Sequence, residues 1–584
     1  MLDQQNRNPN FGNHVSSLAP TSASHNTLHE AQLELNMRAL RVLRRLSPGR
    51  PAAVLVRHVA TGPAASEWQP GNVSWRLGHP PPRQLTGMIK KAPTAQQLLS
   101  AADEHAEAFN AIHITAFWSR LGQLARTRPS DRRWLHSDPA LLEPSRQRTL
   151  RLLPTFDPRN MANVAHGAAK AGLRTAPHDA FLWSKLASAA LFTLGEFANS
   201  EIKDLAWAFA TAGVQHARLF DALEGEAMPR LDGLDEGEVA MLAWSFAKIG
   251  HHAPDLHSAL AAEAERRGFG GFKPLELASL AWALAQAEVG ETCSSFFGRL
   301  AGHIAENASA FAAVPDALST TAWAYGRSGR ASPQTLEALA MAAGQADLGG
   351  MRARSLASLV TPYALCPEPL WPRSDALLEA AARQSLDAIG RTDAVSMTML
   401  VRVFTNALEA QRLSPAASAH CRSFLERVAA DFPHSRQFHH CTERELSLLA
   451  WAYGRSALPA RPLLEAIAAV SGSRMGEFRG AGLVALAYGL SRAIDVGGLG
   501  ADRARAEWPY AFALFEGGPL AEELLLRRSE LSATERDSVD LSFERVACSS
   551  PFGDEGGSRS HDAYLGASLD GGDDGGRPYG RGRY

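Results

Sequence analysis

The chain repeats one apolar phrase while changing the polar letters around it. Residues 318–340 read LSTTAWAYGRSGRASPQTLEALA, and residues 446–468 read LSLLAWAYGRSALPARPLLEAIA. Residues 242–260, LAWSFAKIGHHAPDLHSAL, give a third version. Aligned on the Trp of Ala-Trp-Ala, the phrase recurs at Trp207, Trp244, Trp282, Trp323 and Trp451. Degenerate copies fill the long gap: Tyr363 and Phe404 fall two places past the Trp slot of their segments. The segment around Tyr488 closes the series, His166 takes the slot upstream, and IHITAFWSRLGQL at Ile112 is a divergent first copy. About nine units at a period near ~38 residues indicate stacked repeats.

Each unit predicts two helices. In LAWAFATAG, Leu205 and Phe209 lie one turn apart on one face, whereas Trp207 points elsewhere. Gly172, Gly213, Gly250 and Gly329 follow as left-handed C-terminal caps. Pro254, Pro333 and Pro459 then precede Leu-rich second helices, in which Leu256 and Leu260, or Leu336 and Ala340, form one apolar stripe. No segment alternates as a strand does. One helical pair cannot bury both faces alone, so successive copies must stack. The expected fold is all-α, a right-handed α-solenoid of about nine two-helix repeats with disordered N-terminal and C-terminal segments. The five Trp residues are expected to pack between repeats rather than to serve as base-stacking platforms.

Four regions follow. Residues 1–87 read as a basic, mostly disordered leader, residues 88–495 as the repeat array, and residues 496–547 as a helical cap. Residues 548–584, rich in Gly, Asp and Ser, have too little aliphatic content to order themselves. Overall net charge is −2, but residues 1–92 carry +7 and the remainder −9. A chain so balanced is no general polyanion binder, so an anionic partner needs a local patch. Residues 37–62 hold six Arg and no acidic residue, with Leu and Val gathering on one helical side. That composition fits an organellar transit peptide, mitochondrial before plastid, with Met37 as the working start; a basic unstructured lead-in has the same composition. Five scattered Cys without a Cys-x-x-Cys pair suggest reduced thiols. No apolar run approaches the ~20 residues a membrane span requires, so membrane insertion is not expected.

The phrases FNAIHITAFWSRLGQLAR, FDPRNMANVAHGAAKAG, LAWAFA, LAWSFAKIG and TAWAYGRSG resemble the octotricopeptide-repeat and FAST-kinase-like helical-repeat proteins of algae and protists. The resemblance covers roughly residues 88–495. It implies an organellar RNA-binding factor acting in RNA processing, stability or translation, in the mitochondrial matrix or alternatively the chloroplast. Its partners would be single-stranded organellar RNA and ribonucleoprotein components. Two features depart from the family. Its Pro-Pro-Pro-Glu-Trp signature has only CPEPLWP (residues 366–372) as a loose counterpart, and the C-terminal RAP domain that many members carry is not found.

The candidate chemistry is cationic. Lys170, Lys248, Arg327 with Arg330, Arg455 with Arg461, and Arg492 recur just after the first helix of their units. Stacked in register they would line one edge and suit a phosphate backbone. Cations at helix C-termini also complement the helix dipole without any ligand. His420, Cys421, His434, His439, His440 and Cys441 form the densest metal-like group, but their spacing is looser than that of paired zinc ligands. No phosphate loop, nucleophile elbow, paired-carboxylate motif or kinase signature occurs, so neither catalysis nor a cofactor is expected. The alternative function is a protein-binding scaffold of the armadillo or HEAT kind, which shares every packing feature named above.

Overall fold

The computed structural model of the chain describes residues 80–289, 293–365, 371–410, 413–456, 458–496 and 501–552. Residues 37–62, whose composition suggests a transit peptide starting at Met37, most of CPEPLWP and residues 553–584 of the tail lie outside them. Every regular element among the described residues is helical. None of those helices is long and apolar enough to cross a membrane. Internal contacts define two compact units: residues through Gly172 with His178–Glu196, and Leu173–Pro177 with Phe197 onward.

The first unit holds α1 (Pro82–Lys91), α2 (Ala95–Glu104), α3 (Ala111–Thr127), α4 (Pro129–Ser137), α5 (Glu143–Leu152), α6 (Pro158–Ala171) and nearly all of α7 (Pro177–Thr193). Helix thus begins inside residues 1–87, which the sequence suggests are leader. The reason is that Leu85 and Ile89 of α1 are fully buried. Helices α3 and α6, the two divergent copies, pack most closely. A Cβ on Gly167 would stand 2.5 Å from the Trp118 carbonyl, so only glycine permits that approach. Trp118 itself is buried and donates from Nε1 to Thr149 Oγ1 at 2.8 Å.

The second unit proceeds in pairs. The first three are α8 (Asn199–Ala212) with α9 (Ala217–Ala227), α10 (Glu236–Ile249) with α11 (Pro254–Arg266), and α12 (Pro274–Gln286) with α13 (Ser294–Glu306). A short α14 (Ala308–Ala312) follows, which lengthens the spacing from Trp282 to Trp323. Next come α15 (Pro315–Arg327) with α16 (Pro333–Ala343), and α17 (Ala353–Leu365) with α18 (Trp371–Leu386). The last pairs are α19 (Ala394–Glu409) with α20 (Pro415–Asp431), and α21 (Glu443–Ser456) with α22 (Arg461–Gly472). Then α23 (Gly480–Val496) leads into α24 (Ala501–Glu507), α25 (Pro509–Phe515), α26 (Pro519–Leu526) and α27 (Ala533–Arg545). First helices pack on first helices from α8 to α23, and second helices on second helices from α11 to α22. Two helical layers in register make this unit an α-solenoid. At its C-terminal end α26 and α27 lie against α23, and α25 against α22.

Local chemistry sets the repeat. Helix α10 opens on a reciprocal side-chain cap: Asp235 accepts from the Glu238 amide at 2.7 Å, and the Glu238 carboxylate accepts from the Asp235 amide at 2.9 Å. Helices α8 and α10 close on Gly213 and Gly250 at φ 72° and 73°, a conformation in which a Cβ is strained. Between these ends Leu205, Phe209, Leu242, Phe246, Leu277 and Leu280 are fully buried. The residue two places past Trp is the deep anchor. In three repeats it is a Tyr whose hydroxyl donates to a carbonyl of the preceding second helix: Tyr325 to Phe297, Tyr363 to Leu336 and Tyr453 to Leu425, at 2.7, 2.9 and 2.7 Å. A second staple runs between repeats. Arg230, Arg267 and Arg474 donate to the carbonyl oxygens of Phe197, Leu231 and Cys441, 33 to 36 residues earlier.

Candidate nucleic-acid interface

The Trp slots lie on the outer stripe of the first-helix layer. Trp207, Trp244, Trp282 and Trp323 are half-buried, while Leu205, Phe209 and their equivalents face the core. In-register stacking brings successive indoles together. The rings of Trp244 and Trp282 are 6.2 Å apart, and those of Trp282 and Trp323 are 6.1 Å apart with 28° between their planes. These residues do pack between repeats, and they also leave part of each ring at the surface. Trp451 is buried, and the Arg455 guanidinium lies over its ring at 4.6 Å.

The cations divide into several environments. Lys170 is half-buried in the last turn of α6 in the first unit, and its stem runs over Gly122 of α3. Lys248, Arg327 and Arg455 each follow their Trp by one turn, on the same stripe of α10, α15 and α21. Between them the corresponding places hold Gln286 on α12 and Asn406 on α19, so the cations are not consecutive. Arg330 lies in the turn before α16, and Arg461 is the first residue of α22. Arg492, on α23, has its guanidinium 6.0 Å from the Tyr488 ring.

Carboxylates from other elements neutralise part of this set. Arg327 donates to Glu288 at 2.7 Å, and Arg455 donates from Nε to Glu409 at 2.9 Å and also through Nη2. Arg461 stands 4.0 Å from Glu507. Burial raises the Glu409 carboxyl above its usual range, and the Arg455 charge opposes that. Lys248 differs: among the described residues no carboxylate or hydrogen-bond acceptor meets its amine. Burial holds its ammonium below the usual lysine range, and the nearby Arg174 charge pushes it further the same way. Arg174 in turn donates to the Thr211 carbonyl oxygen at 2.9 Å, at the C-terminal end of α8.

The sequence marks Glu288, with Glu291, as acidic letters that weaken the cationic edge, but not its pairing with Arg327, and sequence reasoning missed Glu409 and Arg174. Glu288 carried one local signal: it stands six residues past its Trp, where Gly213, Gly250 and Gly329 stand in other repeats. It adopts φ 51° there, a left-handed conformation costly for a residue with a side chain. The His and Cys group separates in space. Cys421 and Cys441 are buried, and burial pushes both thiols up to about 12, whereas His434, His439 and His440 are exposed. Among the described residues no cluster of His, Cys, Asp and Glu could hold a metal ion. No family model matches this sequence, and no curated protein matches it either.

Proposed function

We propose that the chain is a non-catalytic binder of single-stranded RNA, serving RNA processing, stability or translation in an organelle. The observation that carries this is the indole row Trp244, Trp282, Trp323 with Lys248 and Arg327 one turn further along the same stripe. Partly exposed indoles beside cations, repeated at a fixed step, would combine base stacking with phosphate attraction without requiring a particular base. The organellar assignment rests on the Arg-rich, acid-free residues 37–62, with the mitochondrial matrix ahead of the chloroplast. In-cell crosslinking followed by sequencing of the attached RNA tests the proposal. Enrichment of organellar transcripts supports it, and recovery of background alone overturns it.

A protein-binding scaffold is the second reading, and the ion pairs Arg327–Glu288 and Arg455–Glu409 favour it by lowering the positive potential of the stripe. Salt separates the two. Phosphate contacts give affinity that falls steeply with ionic strength, whereas a mixed-charge protein interface responds weakly.

A further inference from the structure

Three successive junctions of the first-helix layer can be compared position by position. At the junction of α12 and α15, Arg327 stands one turn past Trp323 and meets Glu288, the residue just beyond the C-terminus of α12. At the junction of α8 and α10, Lys248 stands one turn past Trp244, and the residue equivalent to Glu288 is Gly213. Glycine offers no carboxylate. A Cβ built on Gly213 would meet no atom within 4 Å, so the room that a side chain would occupy is open. Arg174 brings a second cation, a guanidinium, to this junction, anchored on the carbonyl of Thr211 two residues before Gly213. The intervening junction of α10 and α12 has Gln286 in the cation's place and Gly250 in the carboxylate's, so it carries neither charge.

Two neighbouring cations repel each other, and the half-buried one, Lys248, has lost part of its hydration and has no acceptor among the described residues. An oxyanion between them relieves both costs and accepts charge-assisted hydrogen bonds from each. We propose that Lys248 and Arg174 form a phosphate seat at the junction of α8 and α10, open because Gly213 stands where Glu288 closes the junction of α12 and α15. The seat takes a phosphodiester of the same single strand whose bases face the indole row, and for that source it rests on the RNA reading above. Glu288, held in a left-handed conformation that glycine would adopt without cost, is then the residue that denies a second seat to Arg327.

The test uses the full chain and two probes, pyrophosphate and a short oligouridylate. Limiting acylation of amines, read by mass spectrometry on the Lys248 peptide, measures occupancy of the seat. Pyrophosphate is expected to slow acylation of Lys248 about tenfold in the unaltered chain and in Gly213→Asn, which tolerates the left-handed backbone. Gly213→Glu, copying Glu288, is expected to abolish that protection. Lys248→Gln carries no backbone strain and covers the case in which Gly213→Glu fails to fold. It is expected to lose the rise in thermal midpoint that pyrophosphate gives the unaltered chain. Equal acylation with and without pyrophosphate, or a full thermal shift in Lys248→Gln, overturns the seat. Protection of Lys248 by pyrophosphate but not by oligouridylate keeps the seat for free phosphates and removes the strand as its source. Oligouridylate binding that Lys248→Gln leaves unchanged, without pyrophosphate protection, removes the seat and leaves the RNA reading in place.

Discussion

The hydroxyl of Tyr453 donates to the carbonyl oxygen of Leu425 across 2.7 Å, tying a first helix to the second helix of the preceding repeat. Tyr325 and Tyr363 make the same bond to Phe297 and Leu336. Phe209, Phe246 and Phe404 fill the equivalent place without a hydroxyl, so the ring alone satisfies the packing. Tyr453→Phe is therefore expected to cost about 1 kcal/mol, the net worth of one buried hydrogen bond, and Tyr453→Ala about 3–5 kcal/mol. Urea denaturation of the two variants checks the difference. Equal losses would mean that the hydroxyl contributes everything and the ring nothing.

Helices α21 and α23 approach through Gly454 and Gly489. A Cβ on Gly489 would lie 2.1 Å from the Ala450 carbonyl oxygen, and one on Gly454 would lie 2.6 Å from the Gly489 Cα. Backbone cannot yield as a flexible side chain can, so Gly489→Ala must separate the helices. A loss of about 1–3 kcal/mol is expected, despite the better helix propensity of Ala. Gly302 is a control: it lies in α13 with no atom within 4 Å of its Cβ position, and Gly302→Ala is expected to be neutral or mildly stabilising.

The repeat was legible because its signals are local. Leu205 and Phe209 lie one turn apart, Gly213 and Gly250 cap their helices, and Pro254 and Pro333 open the next ones, all within one unit of sequence. The tyrosine two places past the Trp slot showed that residue 363 belongs to the series even though Thr361 replaces the Trp. What stayed hidden is pairing between units. Glu288 lies 39 residues from Arg327, and Glu409 lies 46 residues from Arg455. Whether a cation on the stripe is neutralised depends on a letter in the previous repeat, at an offset that only the packed layers define. The carbonyl staples of Arg230, Arg267 and Arg474 were hidden for the same reason, because every residue has a carbonyl and sequence does not mark the one that is reached. The packing of the Trp row was legible, but its partial exposure was not, since apolar character does not tell which part of a large ring a neighbour leaves uncovered.

Trp282 stands between Trp244 and Trp323 and touches both rings. Trp282→Leu keeps an apolar side chain but removes both aromatic contacts, which are worth about 0.5–1.5 kcal/mol each beyond area burial. Stability is expected to fall by about 1–2 kcal/mol, and single-strand RNA affinity by about tenfold, the lower part of the range for one base–aromatic stack. Filter binding and thermal unfolding measure the two effects separately. A stability loss with unchanged affinity would assign the indole row to packing alone.

Glu263 on α11 accepts from Arg266 Nε and Nη2 at 2.8 and 2.6 Å, and from Arg267 Nε at 2.7 Å. The Arg266 bond is the main reason its carboxyl is pulled down to about 2, against the opposing effect of burial, with Arg267 adding to the pull. Arg267 is thereby held where its Nη2 reaches the Leu231 carbonyl of the preceding repeat at 3.2 Å. A depressed carboxyl stabilises the fold above its unfolded-state pKa of about 4.5 and loses that contribution as pH falls toward 2. Glu263→Gln is expected to cost on the order of 1 kcal/mol at neutral pH, since the exposed Arg266 is screened by solvent. The gap between variant and unaltered chain should hold constant above about pH 5.5 and close progressively between 4.5 and 2. Thermal midpoints recorded across that range decide it, and a gap that stays constant into acid would show that Glu263 acts through shape alone.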